Sequence, residues 1–264
     1  MGQLKDILAE CLDAAQCGDE EAADVLVGLG GAEFVYYETA RNCLKRGWSV
    51  VPQLAGQKKP AIRWKPYQSR LPSQQELRRW FVKQWPEAGI AVVLGPISDL
   101  FVIDVDGEGA HQALVERLGR VPKAPKVRSG SGKPYRYHLF FKHPDLATKA
   151  KFTPWHPKLE FRGDRGIVIL PPSRHKSGHR YQWARGRSPH EMPLPELPEA
   201  VLEELRRTPR CAATVLAKPG TRGRVNIDVT PGISVATQHF LMGLHHNATE
   251  YGDRVGALVL TSCD

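Results

Sequence analysis

Residues 101–107, Phe-Val-Ile-Asp-Val-Asp-Gly, constrain this chain more than any other segment. Side chains alternate across a β-strand, so Asp104 and Asp106 project from one face and Ile103 and Val105 from the other. The apolar face needs a core beneath it. The opposite face then carries two carboxylates one pleat apart, which repel unless they are solvated or share a cation. Hard ions such as Mg2+ and Mn2+ take oxygen ligands. The segment therefore predicts a strand bearing either a divalent-ion site or two solvated acids at a turn.

The surrounding pattern predicts alternating helices and strands. Leu4, Ile7, Leu8, Cys11, Leu12 and Ala15 follow helical spacing, and Val25, Leu26 and Leu29 suit a second short helix, so residues 1–32 read as an acidic helical extension. A helix over 33–46 should stop at Gly47, before an apolar strand at 48–51. Ser73 and Glu76 form a capping box ahead of Leu77, Trp80 and Phe81. Strands are expected at 90–94, 101–106, 135–141, 158–162, 166–170 and 179–183, with helices at 109–118 and 198–207. Residues 33–207 thus form the main domain. Residues 208–233, rich in Pro, Gly and Arg, read as a linker. Residues 234–264 read as the start of a helical C-terminal module, cut before its end.

Two further segments carry candidate chemistry. In residues 128–141, Arg-Ser-Gly-Ser-Gly-Lys-Pro-Tyr-Arg-Tyr-His-Leu-Phe-Phe, a glycine-rich loop containing Ser129 feeds a strand in which Arg136 and His138 share a face. Loop N–H groups and cationic side chains suit phosphate oxygens. The loop is not a Walker A motif: Pro134 stands where Ser or Thr would, and a strand follows instead of a helix. His138 alone reads equally as a hydrogen-bonded sheet histidine. In residues 159–181, Glu160 lies between Leu159 and Phe161 and so faces away from their side, a candidate third carboxylate. Asp164, in a Gly-Asp-Arg-Gly turn, reads as structural. Ser173, Arg174 and His175 follow two prolines that fix the backbone, as an anion site or simply a polar hairpin.

Charge narrows the partners. Residues 1–33 hold one basic residue and eight acids, whereas residues 34–264 hold 36 basic residues and 20 acids. A basic body favours a polyanion. No apolar stretch approaches the ~18 residues of a membrane span, and the acid-bearing N-terminus is not a secretory signal. Five scattered cysteines without a CxxC pair point away from a zinc ribbon or disulfide framework and towards the reducing cytoplasm.

Taken in order, Ala-Arg-Asn-Cys-Leu-Lys-Arg-Gly-Trp-Ser-Val-Val-Pro with the following Lys-Lys-Pro and Trp64, then Val-Ile-Asp-Val-Asp, then Ser-Gly-Ser-Gly-Lys-Pro-Tyr-Arg-Tyr-His, then Leu-Glu-Phe-Arg-Gly-Asp-Arg-Gly-Ile-Val-Ile-Leu-Pro-Pro-Ser-Arg-His, resemble the bifunctional primase-polymerase N-terminal family of the archaeo-eukaryotic primases over residues 34–185. The resemblance implies an α/β (α+β), two-lobed catalytic domain with an RRM-like sheet. It implies a template-dependent DNA primase/polymerase, a nucleotidyltransferase working by two-metal phosphoryl transfer with Mg2+ or Mn2+ held by Asp104, Asp106 and Glu160. His138 would contact the incoming nucleotide's phosphates, with Ser129, Ser173, Arg174 and His175 as further nucleotide contacts. Lys58, Lys59 and Arg63 are candidates for nucleic-acid contacts. Glu160 stands where the family usually has Asp. The implied partners are single-stranded DNA template and primer, dNTP or NTP, and a helicase or other replication module, with no membrane. Two other functions fit the same residues: a metal-dependent nuclease, and a noncatalytic DNA-binding replication protein.

Overall fold

The computed structural model describes residues 10–26, 32–207, 216–218 and 257–259. The chain divides into two units, Met1–Pro144 with Lys149–Leu202, and Asp145–Thr148 with Glu203–Asp264.

In the first unit, helical residues 10–16 (α1) and Glu20–Leu26 (α2) precede Ala32–Lys45 (α3). Ala15, Ala23 and Leu26 pack with Val35 into a small core of their own. The helical extension expected at the N-terminus is present over the described residues; Leu4, Ile7, Leu8 and Leu29 lie outside them. At the end of α3, Gly47 takes φ 81°, a left-handed conformation that glycine adopts without steric cost. The Gly47 N–H donates to the Leu44 carbonyl at 2.9 Å, and the Trp48 N–H to the Cys43 carbonyl at 3.0 Å. This is a Schellman stop. It uses Trp48, which is why the first strand, β1, is Val50–Gln53 and begins two residues later than expected.

The capping box of Ser73 and Glu76 is formed, and it opens α4 (Gln74–Arg78). The helix then widens into a π-helical turn over Arg79–Gln84. Leu77, Trp80 and Phe81 from these turns are almost wholly buried. Burying each such side chain contributes about 1.5–3 kcal/mol.

The remaining strands are β2 (Gly89–Val93), β3 (Phe101–Asp106), β4 (Lys126–Arg128), β5 (Arg136–Phe141), β6 (Phe152–His156), β7 (Leu159–Arg162), β8 (Ile167–Leu170) and β9 (Gln182–Trp183). They make a three-stranded sheet, β1-β2-β8, and a six-stranded sheet, β6-β7-β3-β5-β4-β9, antiparallel throughout. Val50, Ile90 and Val92 of the small sheet share one core with Trp80, Phe81 and, from the large sheet, Val102, Val127 and Phe140. The other face of the large sheet is covered by α5 (Glu108–Leu118), which buries Ala110 and Leu114 against β3, β6 and β7. The result is a mixed α+β fold with antiparallel sheets and few helices.

Two strands, β4 and β6, were not expected, and the strand expected at 179–183 shrinks to Gln182–Trp183. Glu199–Arg207 (α6) forms at the expected helix. In the second unit, Leu216–Lys218 (β10) pairs antiparallel with Ala257–Val259 (β11). The helical reading of 234–264 therefore fails at 257–259, because a short apolar run fits either period. Most of that module and of the linker lies outside the described residues. No helix among the described residues is long and apolar enough to cross a membrane.

Candidate functional site

The register of the large sheet assembles a polar patch. On β3, Asp104 sits opposite His138 of β5 and opposite Glu160 of β7, while Asp106 sits opposite Arg136 and Val102 opposite Arg162. Cross-strand partners share a face. Six polar side chains therefore leave one side of three adjacent strands, as alternation predicted. Ile103, Leu139 and Phe161 leave the other side and are fully buried. Sequence alternation alone could not tell that these three strands are neighbours.

The patch is an ion-pair chain. The Asp104 carboxylate lies 3.4 Å from His138 Nε2 and 3.5 Å from Arg162 Nη1. Arg162 Nη1 also holds Glu160 Oε2 at 2.9 Å, and Lys151 Nζ holds Glu160 Oε1 at 2.5 Å. Arg136 Nε reaches Asp106 at 3.1 Å. Burial holds the His138 imidazole below its usual pKa; Asp104 opposes this, while Arg162 and Lys58 reinforce it. Tyr181 stacks on His138 with ring centroids 6.2 Å apart, and burial foremost pushes its phenol up to about 12.

The donors test whether a divalent ion suits this patch. Asp104 and Asp106 offer only oxygen, from one face of one strand, and Asp106 is 47% exposed, so the pair fits a hard cation. Glu160 lies opposite Asp104 on the neighbouring strand, with its two oxygens engaged by Lys151 and Arg162. Among the described residues no group of three or more His, Cys, Asp or Glu side chains is gathered as a metal site. The three carboxylates expected from the sequence thus share one face, with Glu160 tied into ion pairs.

Two clefts adjoin the patch. A small one is lined by Gln53, Lys58, Asp104, His138, Arg162 and Tyr181. Within it, Gln53 Oε1, His138 Nδ1 and Arg162 Nε are buried without a hydrogen-bond partner. Buried polar atoms in native folds are nearly always paired, so three unpaired ones in a single cleft mark a place built for polar contact. A larger cleft of about 810 Å³ shares Gln53, Lys58, Ile169 and Tyr181 with the first. Its cations are Lys58, Lys133, Arg136, Arg174 and Lys176. It also holds His175, whose pKa is lowered by burial, then by Lys58, Lys176 and Arg136.

The two motif loops meet here. A Cβ on Gly130 would lie 2.7 Å from both His175 Cβ and the His179 carbonyl, so only glycine permits the approach. Ser177 Oγ closes the contact by donating to the Gly130 carbonyl at 2.5 Å.

The remaining candidates divide. Arg174 lines the large cleft, but its guanidinium donates to Asp24 of α2 at 2.8 Å and to the Gly178 carbonyl at 3.1 Å. Ser129 lines a third cleft with Arg128 and Gly130, and its side chain hydrogen-bonds to Tyr181. Lys58 reaches both clefts, whereas exposed Lys59 and Arg63 line neither. Sequence reasoning missed Lys151, Lys176 and Tyr181; Tyr181 was visible only as an aromatic in a short strand.

Ser173 needs correction. It is fully buried, and its hydroxyl accepts from the Ile90 N–H at 2.7 Å and donates to the Ile90 carbonyl at 3.2 Å. It fastens the loop to β2 and has no direction left for a phosphate. Ser173→Ala should lower the unfolding free energy by about 1–3 kcal/mol, the cost of leaving a buried N–H unpaired, with little change in nucleotide affinity. Chemical denaturation beside a nucleotide titration would check it; unchanged stability with lost nucleotide binding would return Ser173 to the site.

No curated protein matches the chain. The family model for the bifunctional DNA primase/polymerase N-terminal domain matches residues 40–200, which span both sheets, the carboxylate strand and both motif loops. That match covers more than half of the sequence, and the chain belongs to the bifunctional DNA primase/polymerase N-terminal family.

Proposed function

We propose that the chain is a template-dependent primase-polymerase that extends or initiates strands from nucleoside triphosphates on single-stranded DNA. Family membership implies a nucleotidyltransferase-type enzyme. The observation that carries the finer reading is the junction of two unlike clefts: one lined by Asp104, with Asp106 on the same strand face, and the other lined by Lys58, Lys133, Arg136, Arg174 and Lys176, of which Arg136 pairs with Asp106 and Arg174 with Asp24. A nucleoside triphosphate needs both, since its phosphates carry dense negative charge and its transfer develops more.

In this reading Asp104 and Asp106 hold the divalent ions, Mg2+ or Mn2+. Bound there, such ions supply Lewis acidity and lower the pKa of the attacking hydroxyl. The chain's own residues do the positioning. Buried His138, with Nε2 towards Asp104 and Nδ1 unpaired, and Gln53, with Oε1 unpaired, face the nucleotide in this reading. Lys58 and His175 cradle the outer phosphates. The six-stranded sheet is taken as the RRM-like catalytic lobe because every carboxylate of the site lies on it. The three-stranded sheet is taken as the facing lobe. A helicase or another replication module is the partner this activity calls for.

The test supplies single-stranded template, labelled nucleotides and Mg2+ or Mn2+, with and without a preformed primer. Products longer than the primer, or labelled products without one, are expected. Degradation of the template without added nucleotides would replace this reading with a nuclease; binding without either reaction would replace it with a noncatalytic DNA-binding protein.

A further inference from the structure

A third cleft, about 460 Å³, opens along β4 and the loop that leads into β5. It shares Lys133 and Arg136 with the cationic nucleotide cleft, so the two lie on either side of that loop. Lys126 and Arg128 leave the face of β4 opposite His138 and Asp104, in register with Leu139 and Tyr137. Lys126 and Arg128 therefore project from the sheet face opposite the carboxylates, while Arg136, paired with Asp106, borders the cleft from the carboxylate face.

Its chemistry is distinctive. Lys126, Arg128, Lys133 and Arg136 line it, and among the described residues that line it none is acidic. Lys126 Nζ sits 3.8 Å above the Tyr137 ring. Its pKa is lowered by burial first, then by Arg187 and Arg128, so positive charge is concentrated here. At the rim, Tyr135 is 41% exposed. Its φ is 55°, a left-handed conformation that bulky residues seldom take, and one that goes with functional positions. The His111 ring lies against the Tyr135 ring at 4.6 Å and 33°, and His111 Nδ1 is in turn 2.8 Å from Tyr137 Oη. Tyr135 is thus a propped aromatic at the edge of a basic groove.

Cations that track a phosphate backbone, with an exposed ring on which a base can stack, are the combination that binds single strands without regard to sequence. We propose that this groove carries single-stranded nucleic acid towards the nucleotide cleft, with Tyr135 stacking on a base and Arg128 and Lys133 contacting phosphates. The proposal rests on the polymerase reading for the strand's role as template, but not for its binding.

The test is fluorescence anisotropy with a labelled single-stranded oligonucleotide, in chelator and without nucleotide, over a range of salt. Tyr135→Ala should weaken binding about 5- to 150-fold, the value of one stacked base, and Tyr135→Phe should bind like wild type. Arg128→Ala combined with Lys133→Ala should weaken binding and flatten the salt dependence by about 1.4 log units per log unit of salt, two phosphate contacts on a single strand. A duplex of the same sequence should be insensitive to Tyr135→Ala. Wild-type affinity in both variants, or equal loss on duplex and single strand for Tyr135→Ala, overturns the groove. Primer extension separates the two ideas. Extension without Tyr135-dependent binding defeats the groove alone, while Tyr135-dependent binding without extension defeats the polymerase reading alone.

Discussion

Asp104→Ala is expected to abolish nucleotide incorporation while leaving the chain folded. Asp104 lies at the centre of the polar patch, opposite both His138 and Glu160 and within 3.5 Å of Arg162. Removing its carboxylate takes away an oxygen ligand and leaves His138 and Arg162 facing each other without the acid between them. The loss should be roughly a thousandfold or more, about 4 kcal/mol of transition-state stabilisation, as when a preorganised charge is deleted from an active site. The fold should survive, because the strand's packing comes from Phe101, Ile103 and Val105, all buried on the other face. Asp106→Ala should cost a similar factor in rate and still less in stability, since that side chain is 47% exposed and tethered to Arg136. Single-turnover incorporation measured beside thermal unfolding separates the two effects. Wild-type rates in either variant would remove these residues from the chemistry.

What could be read from sequence follows the range of the forces involved. Strand β3 was legible because its alternation is local: buried and half-buried positions follow the order of apolar and acidic residues. The capping box was legible for the same reason, being complete within four residues. Strand β4 was not, since it has only three residues, two of them cationic and held by pairing with β5 and β9. Strand β6 contains Pro154 and no buried residue, so despite strand-favouring Phe152, Thr153 and Trp155 it carried no alternation. In the site, the shared face of Asp104 and Asp106 follows from the strand period. That His138 and Glu160 both pair with Asp104 is a fact of long-range register, which no local pattern encodes. Ser173 misled because a proline pair presenting a hydroxyl looks alike whether the hydroxyl meets solvent or the backbone of a neighbouring strand.

Glu160→Gln is expected to lower incorporation by about ten- to a hundredfold, the range for groups that orient ligands, whereas Asp164→Asn should leave the rate near that of wild type. Asp164 Oδ1 is 2.5 Å from His143 Nε2, a contact that holds its turn to the end of β5, away from the patch. Glu160 stands in the patch, yet its role is set by Arg162. Arg162 Nη1 is shared between two acids, 2.9 Å from Glu160 and 3.5 Å from Asp104. With Glu160 neutral, Asp104 becomes the remaining carboxylate for that nitrogen. The guanidinium should then close on Asp104 and compete for the oxygen a cation would use. A double-mutant cycle tells this from direct ligation. If Glu160 acts by restraining Arg162, adding Arg162→Met to Glu160→Gln should restore part of the lost rate, because the competing cation is gone. If Glu160 oxygens bind the ion themselves, as the family resemblance implies, the double variant should be no more active than Glu160→Gln. Titrating Mn2+ in both variants gives a second readout: restraint predicts that the double variant reaches half-maximal rate at a lower Mn2+ concentration than Glu160→Gln, and ligation predicts no such recovery.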